Sequence, residues 1–389
     1  MNWFGQVDPM KHLLVTNDYP PKIGGIQSYL WEIYRRVPQE EVTVLCTPYK
    51  GSREFDLQQS HEIIRTRQKV LLPAPTLLRS IRSIIATREI DFVMFDPAVP
   101  VGILGPRIGS PYGVILHGAE VTIPGRIPFI KQLLGNVLRK SELVITAGSY
   151  STREAERAAG EKLPVVVVPP GVDTYRFQPL NQNRKSDERA KFGLSDHDEI
   201  ILTLSRLVPR KGMDVLIKAC ANLSNRRPNL KLLIAGTGRD TKRLEAIAKQ
   251  TGAPVQFLGH VPDATIPSLY GISDIFSMLC RIRWGGLEQE GFGIVFLEAA
   301  ASGIPQIAGQ SGGASEAVMQ PQTGRVLKNP KDISAAAAAI EEMLNDRNNL
   351  KVMGNASRQR AENEFSYDLL AKNFHQALFD TVRKLKERK

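Results

Sequence analysis

Glu290-Gly-Phe-Gly-Ile-Val-Phe-Leu-Glu298, running on into Ala299-Ala-Ala-Ser-Gly-Ile-Pro305, is the stretch on which the reading of the fold turns. Gly291 and Gly293 precede an apolar run with helical spacing, which predicts a glycine turn opening a helix. The first N–H groups of such a helix are unpaired and carry partial positive charge, so its mouth binds phosphate. Glu290 lies just before the turn and Glu298 little more than one turn inside, so at about 5.4 Å per turn both carboxylates border that mouth. Carboxylates repel phosphate and accept hydrogen bonds from hydroxyls. A sugar nucleotide meets both demands, with pyrophosphate on the helix end, one glutamate on a sugar and the other on the ribose. The plainer alternative makes Glu290 a solvated loop residue and Glu298 an acid stabilised by the helix dipole.

The chain has 389 residues, room for about two domains with sizeable cores. Its 42% hydrophobic and 23% charged residues are those of a soluble globular protein. The formal net charge of +11 favours an anionic partner, whether nucleotide phosphates, an acidic lipid surface or nucleic acid. Cys46, Cys220 and Cys280 are odd in number, far apart and set in apolar segments, as reduced core residues of a cytosolic protein are. His12, His61, His117, His197, His260 and His375 show no metal-ligand spacing, so no zinc is expected. Residues 1–11 lack the pattern of a secretory leader, and no apolar run reaches the roughly 18 residues that span a bilayer. Any meeting with a membrane is expected at its cytoplasmic face.

Strands are expected at 12–16, 41–47, 91–95, 113–116, 143–146 and 165–168, with helical stretches between them, the first at 26–36. The pattern repeats in the second half, with strands at 200–204, 230–235, 255–258, 274–279 and 305–308 and helices at 213–223, 239–250 and 294–301. Such alternation argues for two doubly wound parallel sheets of Rossmann type, which bind ligands at the carboxyl ends of their strands. Gly24 and Gly25 lie in a strand–loop–helix unit, where they let backbone approach a ligand. His117 with Gly118 sits at a strand's carboxyl end, as a site residue or as a satisfied core histidine. Arg206, Arg210 and Lys211 follow another strand, where cations can clamp a pyrophosphate or form a solvated basic turn. Residues 311–316 read as a further glycine turn opening a helix.

Residues 76–88 carry an apolar stripe, Leu77, Leu78, Ile81, Ile84 and Ile85, beside Arg79, Arg82 and Arg88, with Arg65, Arg67 and Lys69 just upstream. This is either a basic amphipathic helix resting on anionic lipid or a helix packed on the sheet with solvated arginines. The polar stretch 178–198 marks the domain boundary, giving an amino-terminal domain over 1–178 and a second over 179–365. A terminal helix over 366–389 carries the stripe Tyr367, Leu370, Phe374, Leu378 and Val382, which is expected to pack across to the first domain.

Together these stretches resemble the retaining glycosyltransferases of family 4. The matching pieces are Asp18 to Gly25, His117-Gly118, Pro170-Gly-Val-Asp173, Ser205-Arg206 with Lys211-Gly212, Glu290 to Glu298, and Ser311 to Glu316. They span nearly the whole chain in the family's order. The resemblance implies the GT-B fold, two Rossmann-like domains facing a central cleft. It implies that Arg206 and Lys211 neutralise the donor diphosphate, that Glu290 contacts the transferred sugar, and that Glu298 contacts the ribose. It implies that His117 lies beside sugar and acceptor, that Gly24 and Gly25 approach the diphosphate, and that backbone at Phe292, Gly293, Ile294 and Val295 holds phosphate or sugar. The segment at 255–261, with Val261, is implied to border the base. Transfer with retention then needs no covalent nucleophile and no tightly bound cofactor, fixed cations standing where other transferases bind a metal, with stimulation by Mg2+ left open.

The stretch 281–293 is similar to that of mannosyltransferases acting on phosphatidylinositol mannosides in actinobacteria. That similarity implies GDP-mannose as donor, an anionic glycophospholipid as acceptor in an alpha-1,6 linkage, and Arg65, Arg67, Arg79 and Arg82 as acceptor or membrane contacts. In 319–324 the family's usual Asp-Gly turn before Thr-Gly is absent, at a place remote from the chemistry. Another nucleotide sugar, such as a UDP-sugar, or a soluble acceptor would use the same catalytic residues. A sugar-nucleotide epimerase would need carboxylates placed for attack by water. A nucleic-acid binder would need a basic stripe interleaved with aromatics, which a chain with 7% aromatics and scattered lysines lacks.

Overall fold

The structure, a computed structural model, describes residues 10–286 and 288–388. Most of the amino-terminal arm in which no leader was read, and Leu287 of the 281–293 stretch, lie outside the described residues. The chain divides into two compact units, Met1–Pro170 with Tyr367–Lys389, and Gly171–Ser366.

The first unit is built on a parallel sheet of seven strands: β1 His12–Thr16, β2 Val42–Cys46, β3 Glu62–Arg65, β4 Phe92–Asp96, β5 Tyr112–Leu116, β6 Leu143–Thr146 and β7 Val165–Val167. The order β3-β2-β1-β4-β5-β6-β7 reverses between β1 and β4. β1, β2, β4 and β5 are buried at every position, as a parallel sheet covered on both faces requires. Its helices are α1 Gly25–Tyr34, α2 Ser52–Asp56, α3 Pro75–Arg88, α4 Ala119–Thr122, α5 Pro128–Arg139 and α6 Ser149–Ala159. α3 starts on a proline, whose missing N–H costs nothing in a first turn. Its Leu77, Ile81 and Ile84 are buried in the core under the sheet, with Leu78 and Ile85 packed beside them. The apolar stripe of α3 therefore belongs to the protein interior.

The second unit holds six parallel strands: β8 Glu199–Leu204, β9 Leu230–Ala235, β10 Val255–Gly259, β11 Ile275–Met278, β12 Gln306–Gly309 and β13 Gly324–Leu327. Their order, β10-β9-β8-β11-β12-β13, reverses between β8 and β11. The helices are α7 Gln182–Lys191, α8 Met213–Ser224, α9 Thr241–Thr251, α10 Ile266–Ile272, α11 Ile294–Ala301, α12 Ile333–Asn345 and α13 Arg347–Glu364. Asp332 and Asp346 cap α12 and α13, each accepting at 2.9 Å from a backbone N–H of the first turn.

Three features differ from the sequence reading. The polar stretch 178–198 contains α7, held by Arg189, whose buried guanidinium donates to the carbonyls of Ile272, Asp196 and Asp198. The division falls instead at Pro170, and Val172 and Phe177 pack in the second unit's core. Residues 312–316 form turns without a helix. Gly312 takes φ +53, and a Cβ there would fall 2.0 Å from the Glu290 carbonyl oxygen, so this turn is pressed against the loop before α11.

The chain ends in α14, Tyr367–Glu387. Its Tyr367, Leu370, Phe374, Leu378 and Val382 are buried with Leu14, Leu30, Tyr34 and Val44 of the first unit. His375 Nε2 lies 2.7 Å from Glu41 Oε2 in that interface.

Candidate active site

In open parallel sheets ligands sit outside the carboxyl ends of the strands where the order reverses. In the second unit that point lies between β8 and β11, and the chain leaving those two strands carries 205–212 and 279–293. The first of these loops tightens into a turn over Pro209–Lys211, ending on Gly212 at φ +73. The turn aims Lys211 and Arg210 at one carboxylate. Lys211 Nζ donates to Glu290 Oε2 at 2.8 Å and Arg210 Nη1 to the same oxygen at 2.5 Å. Burial opposes ionisation of Glu290, but the charges of Lys211 and Arg210 outweigh it and hold the carboxyl below the usual carboxylate range. Its backbone is pinned as well: Glu290 N donates to Ser311 Oγ at 3.3 Å, and Gly313 N to Glu290 O at 3.1 Å.

Gly293 opens α11 at φ +86, a backbone conformation that side chains resist. Ile294 and Val295 form the first turn, half-buried, and Phe292 is buried against Phe365 at 5.8 Å between ring centroids. Glu298 accepts from the Tyr270 hydroxyl at 2.8 Å, and burial pushes its carboxyl above the usual range. Val261, just past β10, is half-buried. Arg206 is exposed and has no ion-pair partner among the described residues. The structure thus joins Lys211 to Glu290 and leaves Arg206 free of both.

In the first unit the order reverses between β1 and β4, whose last residues, Thr16 and Asp96, pair in register. His117 follows the next strand, with Nε2 2.8 Å from Asp96 Oδ1 and its ring edge-on to Tyr29. Burial disfavours the imidazolium, but Asp96 more than compensates, so the pKa of His117 is raised. Thr16 Oγ1 donates to Asp96 Oδ2 at 2.9 Å and accepts from Asp18 N at 2.8 Å. Asp18 in turn accepts from Lys22 at 2.6 Å and from Gln27 at 2.5 Å. A continuous hydrogen-bonded chain therefore runs from His117 to the loop holding Gly24 and Gly25, which precede and begin α1.

The four arginines do not share one environment. Arg65 is tied into the fold by Asp56 at 2.7 Å and by the carbonyls of Thr47 and Pro20. Arg82 is exposed and donates to the Arg107 carbonyl at 2.5 Å. Arg67 and Arg79 are exposed and line an open groove of about 580 Å³ between β3 and α3.

Asp96, Thr16 and Tyr270 are absent from the sequence-derived site. Asp96 ends a strand, so the rule that selects His117 also reaches it. Arg210, read from the sequence only as one of three cations able to clamp a pyrophosphate, is found holding Glu290. Tyr270 carries no local signal, because Glu298 lies 28 positions away. Among the described residues no group of three His, Cys, Asp or Glu side chains could hold a metal ion.

Residues 184–360 match the family model described as glycosyl transferases group 1, and residues 23–176 match the one described as glycosyltransferase family 4. The GDP-mannose-dependent monoacylated alpha-(1-6)-phosphatidylinositol monomannoside mannosyltransferase of Corynebacterium glutamicum is 37% identical over 366 residues, covering 92% of this chain and 95% of the relative. The GDP-mannose-dependent alpha-(1-6)-phosphatidylinositol monomannoside mannosyltransferase of Mycolicibacterium smegmatis is 36% identical, over 90% of this chain and 93% of its own. Among solved structures, Anabaena Alr3699/HepE in complex with UDP superposes with a TM-score of 0.80 at 21% identity, covering 95% of this chain and all of that one. The sucrose-phosphate synthase of Thermosynechococcus elongatus superposes at 0.75 and 19% identity, covering 98% of this chain and all of that one. These superpositions establish the GT-B fold.

Proposed function

The chain belongs to the family 4 glycosyltransferases, and on that premise we propose that it moves mannose from GDP-mannose to a phosphatidylinositol mannoside acceptor, forming an alpha-1,6 bond with retention. The observation that carries this reading is identity of 36–37% along nearly the full length of enzymes named for that donor and acceptor. The site chemistry is compatible with it.

Lys211 and Arg206 meet the diphosphate, whose charge grows as the glycosidic bond breaks, and the amino end of α11 supplies N–H groups to the same charge. Glu290 orients the sugar hydroxyls. With one of its oxygens held by Lys211 and Arg210, its position is fixed before substrate arrives, and that preorganisation lowers the barrier. Glu298, braced by Tyr270, takes the ribose hydroxyls. The acceptor hydroxyl approaches the face that the diphosphate is leaving, and a departing phosphate oxygen takes its proton. His117, held by Asp96, lines the sugar and acceptor side. Fixed cations serve where other transferases bind a metal ion, so chelation with EDTA leaves turnover in place. The acceptor is drawn from the cytoplasmic face of the membrane; no helix of the described residues is long and apolar enough to cross it.

The direct test supplies isotopically labelled GDP-mannose and purified phosphatidylinositol monomannoside, with UDP-glucose as the control donor. Labelled dimannoside with an alpha-anomeric proton signal is the expected product. Transfer from UDP-glucose alone would overturn the donor assignment, and a beta product the stereochemical one.

A further inference from the structure

We propose that Ile123 and Ile127, in the turn between α4 and α5, and Phe129, in the first turn of α5, form a ridge that docks the first unit on an anionic lipid bilayer beside His117. The proposal rests on the reading that the acceptor is a membrane glycophospholipid. α3, the helix whose sequence invites lipid contact, has its apolar stripe in the core. The ridge is the reverse case: Ile123 is 45% exposed, Ile127 44% and Phe129 71%.

These side chains stand out from a built turn. Val121 and Gly125 are buried around them, and Thr122 Oγ1 lies 2.8 Å from the Tyr150 hydroxyl. Ile127 N donates to Pro124 O at 3.2 Å, and Lys131 N to Ile127 O at 2.7 Å. Clustered large apolar side chains on a fixed surface mark a contact site.

Charge selects the partner. Around the ridge Arg126 and Lys131 are exposed, and Arg157 of α6 reaches the turn, its Nη2 3.6 Å from where a Cβ at Gly125 would lie, while pairing with Glu154 at 2.8 Å. Glu120 is turned inward, accepting from Gly118 N at 2.8 Å. Apolar side chains among cations that outnumber the one neighbouring acid, Glu154, fit a bilayer with acidic headgroups, where the chains enter the acyl boundary and the cations meet phosphate. The topology sets the orientation. The ridge follows the carboxyl end of β5, and the groove with Arg67 and Arg79 follows that of β3. Parallel strands end on one side, so both surfaces leave the sheet at that edge, from strands four spacings or about 19 Å apart. A bilayer meeting both faces the edge that carries His117.

An environment-sensitive dye attached through Phe129→Cys reads insertion, because Cys46, Cys220 and Cys280 are all buried and stay unlabelled. Phosphatidylglycerol vesicles are expected to raise and blue-shift its emission several-fold, brominated acyl chains to quench it, and phosphatidylcholine vesicles to do neither. Ile123→Ser with Ile127→Ser is expected to weaken vesicle binding about tenfold or more, with thermal protection by GDP unchanged. Vesicle binding with a silent dye overturns the proposal. So does an emission change that follows protein concentration without lipid, which would assign the ridge to a second copy of the chain. Protection by GDP with a silent ridge would sink this inference and leave the donor reading standing; insertion without protection would do the opposite.

Discussion

Glu290 and Glu298 belong to one short stretch, yet their carboxyls are shifted in opposite directions. For Glu290 burial opposes the charge and Lys211 with Arg210 overcomes it, so its folded pKa is depressed. A depressed carboxyl contributes stability above its unfolded pKa and loses it as pH falls through the folded value. Glu290→Gln is therefore expected to lower Tm at neutral pH, with the gap to the unsubstituted chain closing in acid. Glu298 is raised by burial, and Tyr270 only partly offsets this. A raised carboxyl contributes stability below its unfolded pKa and loses it as pH rises through the folded value. Glu298→Gln should then raise Tm at neutral pH while weakening protection by GDP, the trade expected of a site residue. Calorimetry across pH reads both, and a lower Tm for Glu298→Gln would contradict the assignment. For His117, Asp96 is the cause of the raised pKa. In Asp96→Asn its NMR titration midpoint is expected to drop, and an unmoved midpoint would show that Asp96 is not what holds the proton.

At the scale of elements, the loop before α11 depends on a turn that lies after β12. A methyl group at Gly312 would collide with the Glu290 carbonyl and strain a left-handed backbone, at a cost of about 1–2 kcal/mol. Gly312→Ala should lower Tm by several degrees and weaken GDP binding together, read by thermal shift and calorimetric titration. A lower Tm with unchanged affinity would uncouple the turn from the site. Much of this was legible in sequence. Buried parallel strands are near-continuous apolar runs, which is why β1, β4, β8 and β9 stand out. The edge strands β3 and β13 are half-buried and show no such run. α7 was missed because its one buried side chain is an arginine satisfied by carbonyls, a pairing with no periodic trace. In the site, glycines and strand-end charges were readable because the topology that uses them is local. The pairings of Arg210 with Glu290 and Tyr270 with Glu298 join elements distant in sequence, and only folding brings them together.

At the scale of the molecule, the last helix completes the first unit after the whole second unit has intervened. α14 buries Tyr367, Leu370, Phe374, Leu378 and Val382. At about 2 kcal/mol each, their loss is comparable to the stability of an ordinary domain. A chain ending at residue 366 is expected to lose the unfolding transition of the first unit and keep that of the second, and two intact calorimetric transitions would contradict this. The central claim concerns the donor, and thermal protection by GDP, UDP and ADP at equal concentration tests it most directly, since a ligand bound only by the folded chain raises Tm according to its affinity. Protection by GDP above the others, lost in Lys211→Ala, is the expected result; protection by UDP in its place would keep the fold and reaction class and contradict the assignment of GDP-mannose.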